Sequence, residues 1–177
     1  MSAIVRNLAP ERINTFPDSP TYGKPISYPN ESQVFSILKL ENGIAGTLSI
    51  NGDSTIQDQA HFMIYGKKGI LKLTDPNTFG GNVIYLPAQK DFEDHPTPQI
   101  LNYGFSYGEN SRGLGPSEMA DAIFEKRENR ANAELAVHVL DVIDHMVESS
   151  EKGAFVQVTS TCKRPEPMPS YVRRNLF

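Results

Sequence analysis

Tyr103, Tyr107, Asn110, Ser111 and Arg112 crowd into one short stretch of the chain. Two phenols, an amide, a hydroxyl and a guanidinium in one loop present flat faces beside donors and acceptors. That mixture suits a polyhydroxylated ligand, because each sugar hydroxyl both gives and takes a hydrogen bond. Tyr107, Asn110 and Arg112 are therefore pocket candidates. The same residues also fit a plainer arrangement, in which the loop packs over a sheet and Arg112 pairs with a surface acid.

The remaining reactive side chains are read as structural. His138, Asp141 and His145 fall at i, i+3 and i+7 on a helical pattern, a spacing able to present metal ligands. They border an apolar stripe, where histidine buries its ring and keeps a wet tip. A small metalloenzyme built on this stripe would require bound metal. Asp91 and His95, like Asp141 and His145, are four residues apart and could share a proton on a helix, but Asp91–His95 lies in a proline-rich acidic stretch. Cys162 has no CxxC partner, and Lys163 alone is little activation for a thiolate. Gly113-Leu114-Gly115 opens a helix without the third glycine of a dinucleotide fingerprint. Glu118 stands there instead, and its charge would repel phosphate.

Bulk properties narrow the classes. The 177 residues suit one domain, with 38% apolar and 21% charged side chains. A formal net charge of -4 argues against nucleic-acid binding, which calls for a basic face. A single cysteine rules out an internal disulfide and points to a reducing, cytoplasmic setting. No apolar run approaches the ~20 residues that span a bilayer, so no membrane partner is expected.

The elements that must position these residues show in the hydrophobic pattern. Strands are expected at Ser2–Arg6, Ser32–Leu40, Ile44–Ile50, His61–Tyr65, Ile70–Thr74, Val83–Leu86 and Ala154–Val158. Asn42-Gly43 marks a hairpin between the second and third. Pro10–Pro29 is expected to be an irregular loop, because four prolines interrupt it. One helix is expected from the Gly115-Pro116 start to about Lys126, with Leu114 and Met119 as a staple. Another should run from an Asn132 cap to Gly153, burying Leu135, Val139, Val142, Ile143 and Met146. The tail from 165 to 177 should be irregular. Strands first and helices later predict an α+β fold: an open, mainly antiparallel sheet with helices on one face. Several strands are apolar on both faces, so the other face should be covered by a second copy of the chain, in a dimer or tetramer.

Asn110-Ser111-Arg112-Gly113-Leu114-Gly115, then Glu118-Met119-Ala120, then Glu134 to Val142, resemble the glucose–fructose oxidoreductase / inositol dehydrogenase / MocA family. So do Tyr65-Gly66-Lys67-Lys68-Gly69-Ile70-Leu71, Asp75 to Gly81, and the ending Gly153 to Pro165. Their order covers nearly the whole chain, and it resembles the family's C-terminal domain alone. The resemblance implies a parent enzyme that uses NAD or NADP to oxidise or reduce a sugar, cyclitol or similar polyol, with an N-terminal Rossmann domain before this one. It also implies that the sheet edge around Asp53 and His61, with the loop around Asn110 and Arg112, lines the substrate pocket. No catalytic residue carries over. Gly23-Lys24-Pro25 imitates the family's Glu-Lys-Pro motif in the wrong domain, and the family's Asp–His helix would precede this chain. The isolated chain is thus expected to hold no cofactor and to be inactive. A starting Met at the lip of a strand favours a chain that begins after a front domain. The rival expectation is a free-standing sugar-binding or scaffolding module.

Overall fold

The computed structural model describes residues 1–54, 61–77, 79–101, 107 and 111–168. The chain divides into two compact units. Met1–Gln57 and Asn132–Arg164 form the first, Asp58–Ala131 and Pro165–Phe177 the second. The described elements are α+β, with antiparallel sheets and two helices.

In the first unit, β1 (Ser2–Arg6), β4 (Gln33–Lys39) and β5 (Ala45–Asn51) form a three-stranded sheet in the order β1-β4-β5. The β4–β5 turn follows from Asn42-Gly43. Gly43 adopts φ 85 and donates to the Leu40 carbonyl at 3.0 Å, while Asn42 accepts from the Ile44 amide at 3.1 Å. A residue with a Cβ resists that φ, which is why glycine closes the turn.

The stretch expected as an irregular loop holds a small hairpin instead. β2 (Glu11–Ile13) pairs antiparallel with β3 (Pro25–Ser27). The prolines do not forbid it, because Pro25 is the first residue of its strand, a place that needs no ladder donor. Asn14 closes the intervening loop, donating to Ser19 at 2.8 Å and Thr21 at 2.7 Å.

The long helix of this unit, α2 (Ala133–Lys152), begins as expected. The Asn132 side chain accepts from the Leu135 amide at 2.8 Å, and Gly153 ends the helix in the left-handed region. Its packing face differs from the expected stripe. Met146 and Ser149 are buried, whereas Val139 and Ile143 are about half exposed. The reason is that β1 runs against the last turns of the helix: Ser149 Oγ accepts from the Ala3 amide at 3.0 Å and Ser150 Oγ from the Val5 amide at 2.9 Å. The expected last strand at 154–158 does not form. Val156 exchanges two backbone hydrogen bonds with Met1 and pairs no further. On the sheet face that includes buried Ala3 and Ser36, α2 supplies the cover. Alternation puts Ile4, Phe35 and Ile37 on the opposite face, where all three are exposed.

The second unit holds β6 (Phe62–Gly66), β7 (Gly69–Leu73), β8 (Val83–Pro87) and β9 (Gln99–Leu101) in a four-stranded meander, β9 being one strand more than expected. Lys67-Lys68 makes the β6–β7 turn between paired Gly66 and Gly69. Gly69 has φ 143, and a Cβ there would lie 2.2 Å from the Leu86 carbonyl oxygen, so only glycine fits. The helix of this unit, α1 (Leu114–Glu125), starts two residues before Pro116. Pro116 thus falls within the first turn, where a missing N–H costs nothing. Leu114 is inside the helix, so it cannot act as the outer half of a staple, and Met119 is half exposed.

Candidate functional site

Polar side chains gather where β5 leaves its sheet. Asp53 lies two residues past the strand end and spends both carboxylate oxygens within the first unit. Arg12 Nη2 donates to one at 2.6 Å and the Ser32 hydroxyl to the other at 2.6 Å. The Arg12 guanidinium also covers the Tyr28 ring, 3.9 Å from its centroid. Such stacking fixes a planar cation flat. The ion pair is half-buried. Behind it, Arg6, Gln33 and Asn51 form a ladder on one face of the sheet: Arg6 Nε donates to Gln33 at 2.8 Å and Gln33 Nε2 to Asn51 at 3.2 Å. The group can offer a fixed guanidinium, a phenol and amides, which is hydrogen-bonding chemistry and not acid–base or nucleophilic chemistry.

The other site residues expected from sequence belong to the second unit. His61 is exposed just ahead of β6. Tyr107 is half-buried. Arg112 is exposed, and its Nη2 donates to the Asn77 amide oxygen at 2.9 Å, which ties the start of α1 to the β7–β8 connection. Asn110 lies outside the described residues, as does Tyr103. Sequence reasoning missed Arg12, Tyr28 and Ser32. Arg12 was findable as the lone arginine of the proline-rich stretch; nothing in the pattern pointed to Tyr28 or Ser32.

The histidine stripe is engaged internally. Ser160 Oγ donates to Asp141 Oδ2 at 2.5 Å and lies 2.8 Å from His138 Nδ1. His145 Nδ1 lies 2.7 Å from the Asp141 carbonyl oxygen and 3.2 Å from its carboxylate. The serine hydrogen bond, more than any other contact, holds the Asp141 carboxyl below the usual range. In this order the serine proton goes to the carboxylate and the imidazole is no relay between them, so no activated nucleophile results. The contacts instead fasten residue 160 to α2. Among the described residues no group of three or more His, Cys, Asp and Glu is placed to hold a metal ion.

Glu118 is buried at 6% exposure and receives Arg127 and Arg130, each at 2.5 Å, plus the Arg130 amide at 3.3 Å. Burial pushes its carboxyl up, but the two arginines together outweigh that and hold it below the usual range. The Gly113–Gly115 turn leads into α1. A Cβ at either glycine would meet no protein atom within 4 Å, and the next turn of the helix carries the Glu118 carboxylate, held by Arg127 and Arg130.

Antiparallel sheets, a long helix across one sheet face and a polar cluster at the sheet's end define an α+β domain. More particularly, residues 3–158 match the family described as "Oxidoreductase family, C-terminal alpha/beta domain", and the chain belongs to that family. Two solved structures share its fold. Levoglucosan dehydrogenase in complex with NADH and L-sorbose superposes with a TM-score of 0.67 at 16% identity, and the apo form of levoglucosan dehydrogenase with 0.67 at 18%. Each match covers 90% of this chain and 45% of the other, so the chain spans less than half the length of those dehydrogenases. No curated protein matches the sequence.

Proposed function

We propose that this chain forms the substrate wall and the oligomer face of an NAD(P)-dependent oxidoreductase acting on a sugar, cyclitol or related polyol. The observation that carries the reading is membership of the oxidoreductase C-terminal family over residues 3–158. The dehydrogenases that share the fold support the substrate class, one having been solved with NADH and L-sorbose. On this reading the chain's own residues bind and orient hydroxyls, with Asp53, His61, Tyr107, Asn110 and Arg112 lining the pocket and Arg12 held by Asp53. Hydride chemistry comes from the nicotinamide, which a preceding Rossmann domain would hold. The chain acts in the cytoplasm, without nucleic acid or membrane. No described helix is long and apolar enough to cross a membrane.

Two measurements test this. Titration calorimetry of the isolated chain with NADH and NADPH should give no heat of binding, and micromolar affinity for either would overturn the division of labour. In NMR titrations with millimolar myo-inositol and L-sorbose, shifts should concentrate at the amides of residues 12, 28, 53, 61, 107 and 112. Shifts scattered elsewhere, or none, would sink the substrate-wall reading.

A further inference from the structure

Phe92 is 95% exposed, more than any other large apolar side chain among the described residues. Its stretch is well tied. Asp91 Oδ1 accepts from the Glu93 amide at 3.0 Å and the Asp94 amide at 2.9 Å, Asp94 Oδ2 accepts from the Lys90 amide at 2.9 Å, and Gln89 Nε2 donates to the Asp94 carbonyl at 2.8 Å. The ring is therefore presented between three carboxylates, those of Asp91, Glu93 and Asp94.

A cationic turn adjoins the start of this stretch. The Lys68 carbonyl accepts from the Ala88 amide at 2.9 Å and from the Tyr85 hydroxyl at 2.6 Å, so the Lys67-Lys68 turn and the acidic stretch leave the same end of the four-stranded sheet. Tyr65, on the strand entering that turn, is 73% exposed. Lys67, Lys68, Asp91 and Glu93 make no ion pair among the described residues. An aromatic between carboxylates and an aromatic beside lysines thus share one end of one unit. A two-fold axis between the acidic and the cationic halves of such a patch would set acid against lysine and ring against ring. That is the self-complementarity an isologous contact requires, and a partner of a single charge sign would satisfy only half of it.

We infer that this end of the sheet is a two-fold contact between copies of the chain, with Phe92 of each copy seated against Tyr65 and the Lys67-Lys68 turn of the other. It does not rest on the proposed function.

Sedimentation velocity of the full chain at tens of micromolar tests this. The Phe92→Ser chain should halve the largest assembly, with a dissociation constant raised at least tenfold, and its circular dichroism should match wild type because the ring is exposed. Lys67→Glu/Lys68→Glu should do the same. Molar salt should weaken the wild-type contact in parallel. The inference is overturned if Phe92→Ser retains the wild-type mass at every concentration, or if wild type is a monomer throughout. A species split only by Phe35→Asp also overturns it, while leaving the other face standing.

Discussion

At the scale of single residues, Glu118 illustrates how far a charge can differ from its place in a pattern. In the sequence it stands early in a helix, where a carboxylate usually complements the helix dipole. In the structure it is the buried anchor of Arg127 and Arg130, and Arg130 in turn donates to the carbonyls of Glu166 and Pro167. Helical spacing locates an acid, but it does not say that the chain will turn back nine and twelve residues later to deliver two cations. Removing the buried carboxylate leaves two half-buried guanidinium groups without their anion, so Glu118→Ala should cost about 2 kcal/mol in urea unfolding. The acid side follows with a definite sign. The folded pKa is depressed, so the contribution is complete above the ordinary glutamate value of about 4.3 and is lost as pH falls through the lower folded value. Stability of wild type should therefore drop below pH about 4 more steeply than that of Glu118→Gln; parallel acid limbs in the two chains would refute the assignment. Asp53 carries the same lesson at the candidate site. Its position at the sheet's end was legible, but not that Arg12 and Ser32 take both its oxygens, because those partners lie 41 and 21 residues away.

At the scale of elements, legibility followed how local the determining contacts are. The β4–β5 and β6–β7 hairpins could be read because Asn42-Gly43 and the Gly66–Gly69 turn settle their geometry within a few residues. The Asn132 cap and Gly153 terminus of α2 could be read for the same reason. The β2–β3 hairpin could not, since its prolines signal breaks and its pairing is closed by the Asn14 side chain. Which face α2 would bury was also hidden. Hydrophobic spacing favoured Val139 and Ile143, whereas the helix docks through hydroxyls against β1 backbone amides. Ser149 is central to that docking. At 1% exposure its Oγ accepts from the Ala3 amide and donates to the Ala154 carbonyl at 2.7 Å, joining a strand, a helix and the following segment. Ser149→Ala leaves the buried Ala3 amide and the Ala154 carbonyl without this partner, and should cost about 2 kcal/mol. Amide hydrogen exchange should accelerate at Ala3 in that variant. A loss of less than about 0.5 kcal/mol, within the range of ordinary surface changes, would mean that Ser149 is not the joint described.

At the scale of the whole molecule, the balance of buried and exposed apolar surface is the leading fact. Among the described residues few large apolar side chains are fully buried, while Ile4, Phe35 and Ile37 lie in a row on one face of the first unit's sheet, Ile37 at 55% exposure. Their neighbours on β5, Thr47 and Ser49, are small enough to let another surface approach. Monomeric proteins rarely leave such a patch bare, because each large side chain withdrawn from water is worth about 1.5 to 3 kcal/mol. A second copy meeting this face would bury six such side chains, three from each, and the entropy of association would offset only part of the gain. Arg6, 6.0 Å from the Phe35 ring and already bonded to Gln33, borders the patch as a polar rim. Phe35→Asp places a charge at the centre of the patch. It should raise the dissociation constant of the proposed sheet-face dimer by at least a hundredfold, about 2.7 kcal/mol, while leaving the urea midpoint of the separated chain within the range of a surface substitution. Light scattering across a concentration series distinguishes the outcomes: an unchanged mass at micromolar concentrations would show that the exposed row faces solvent or another partner, not a second copy.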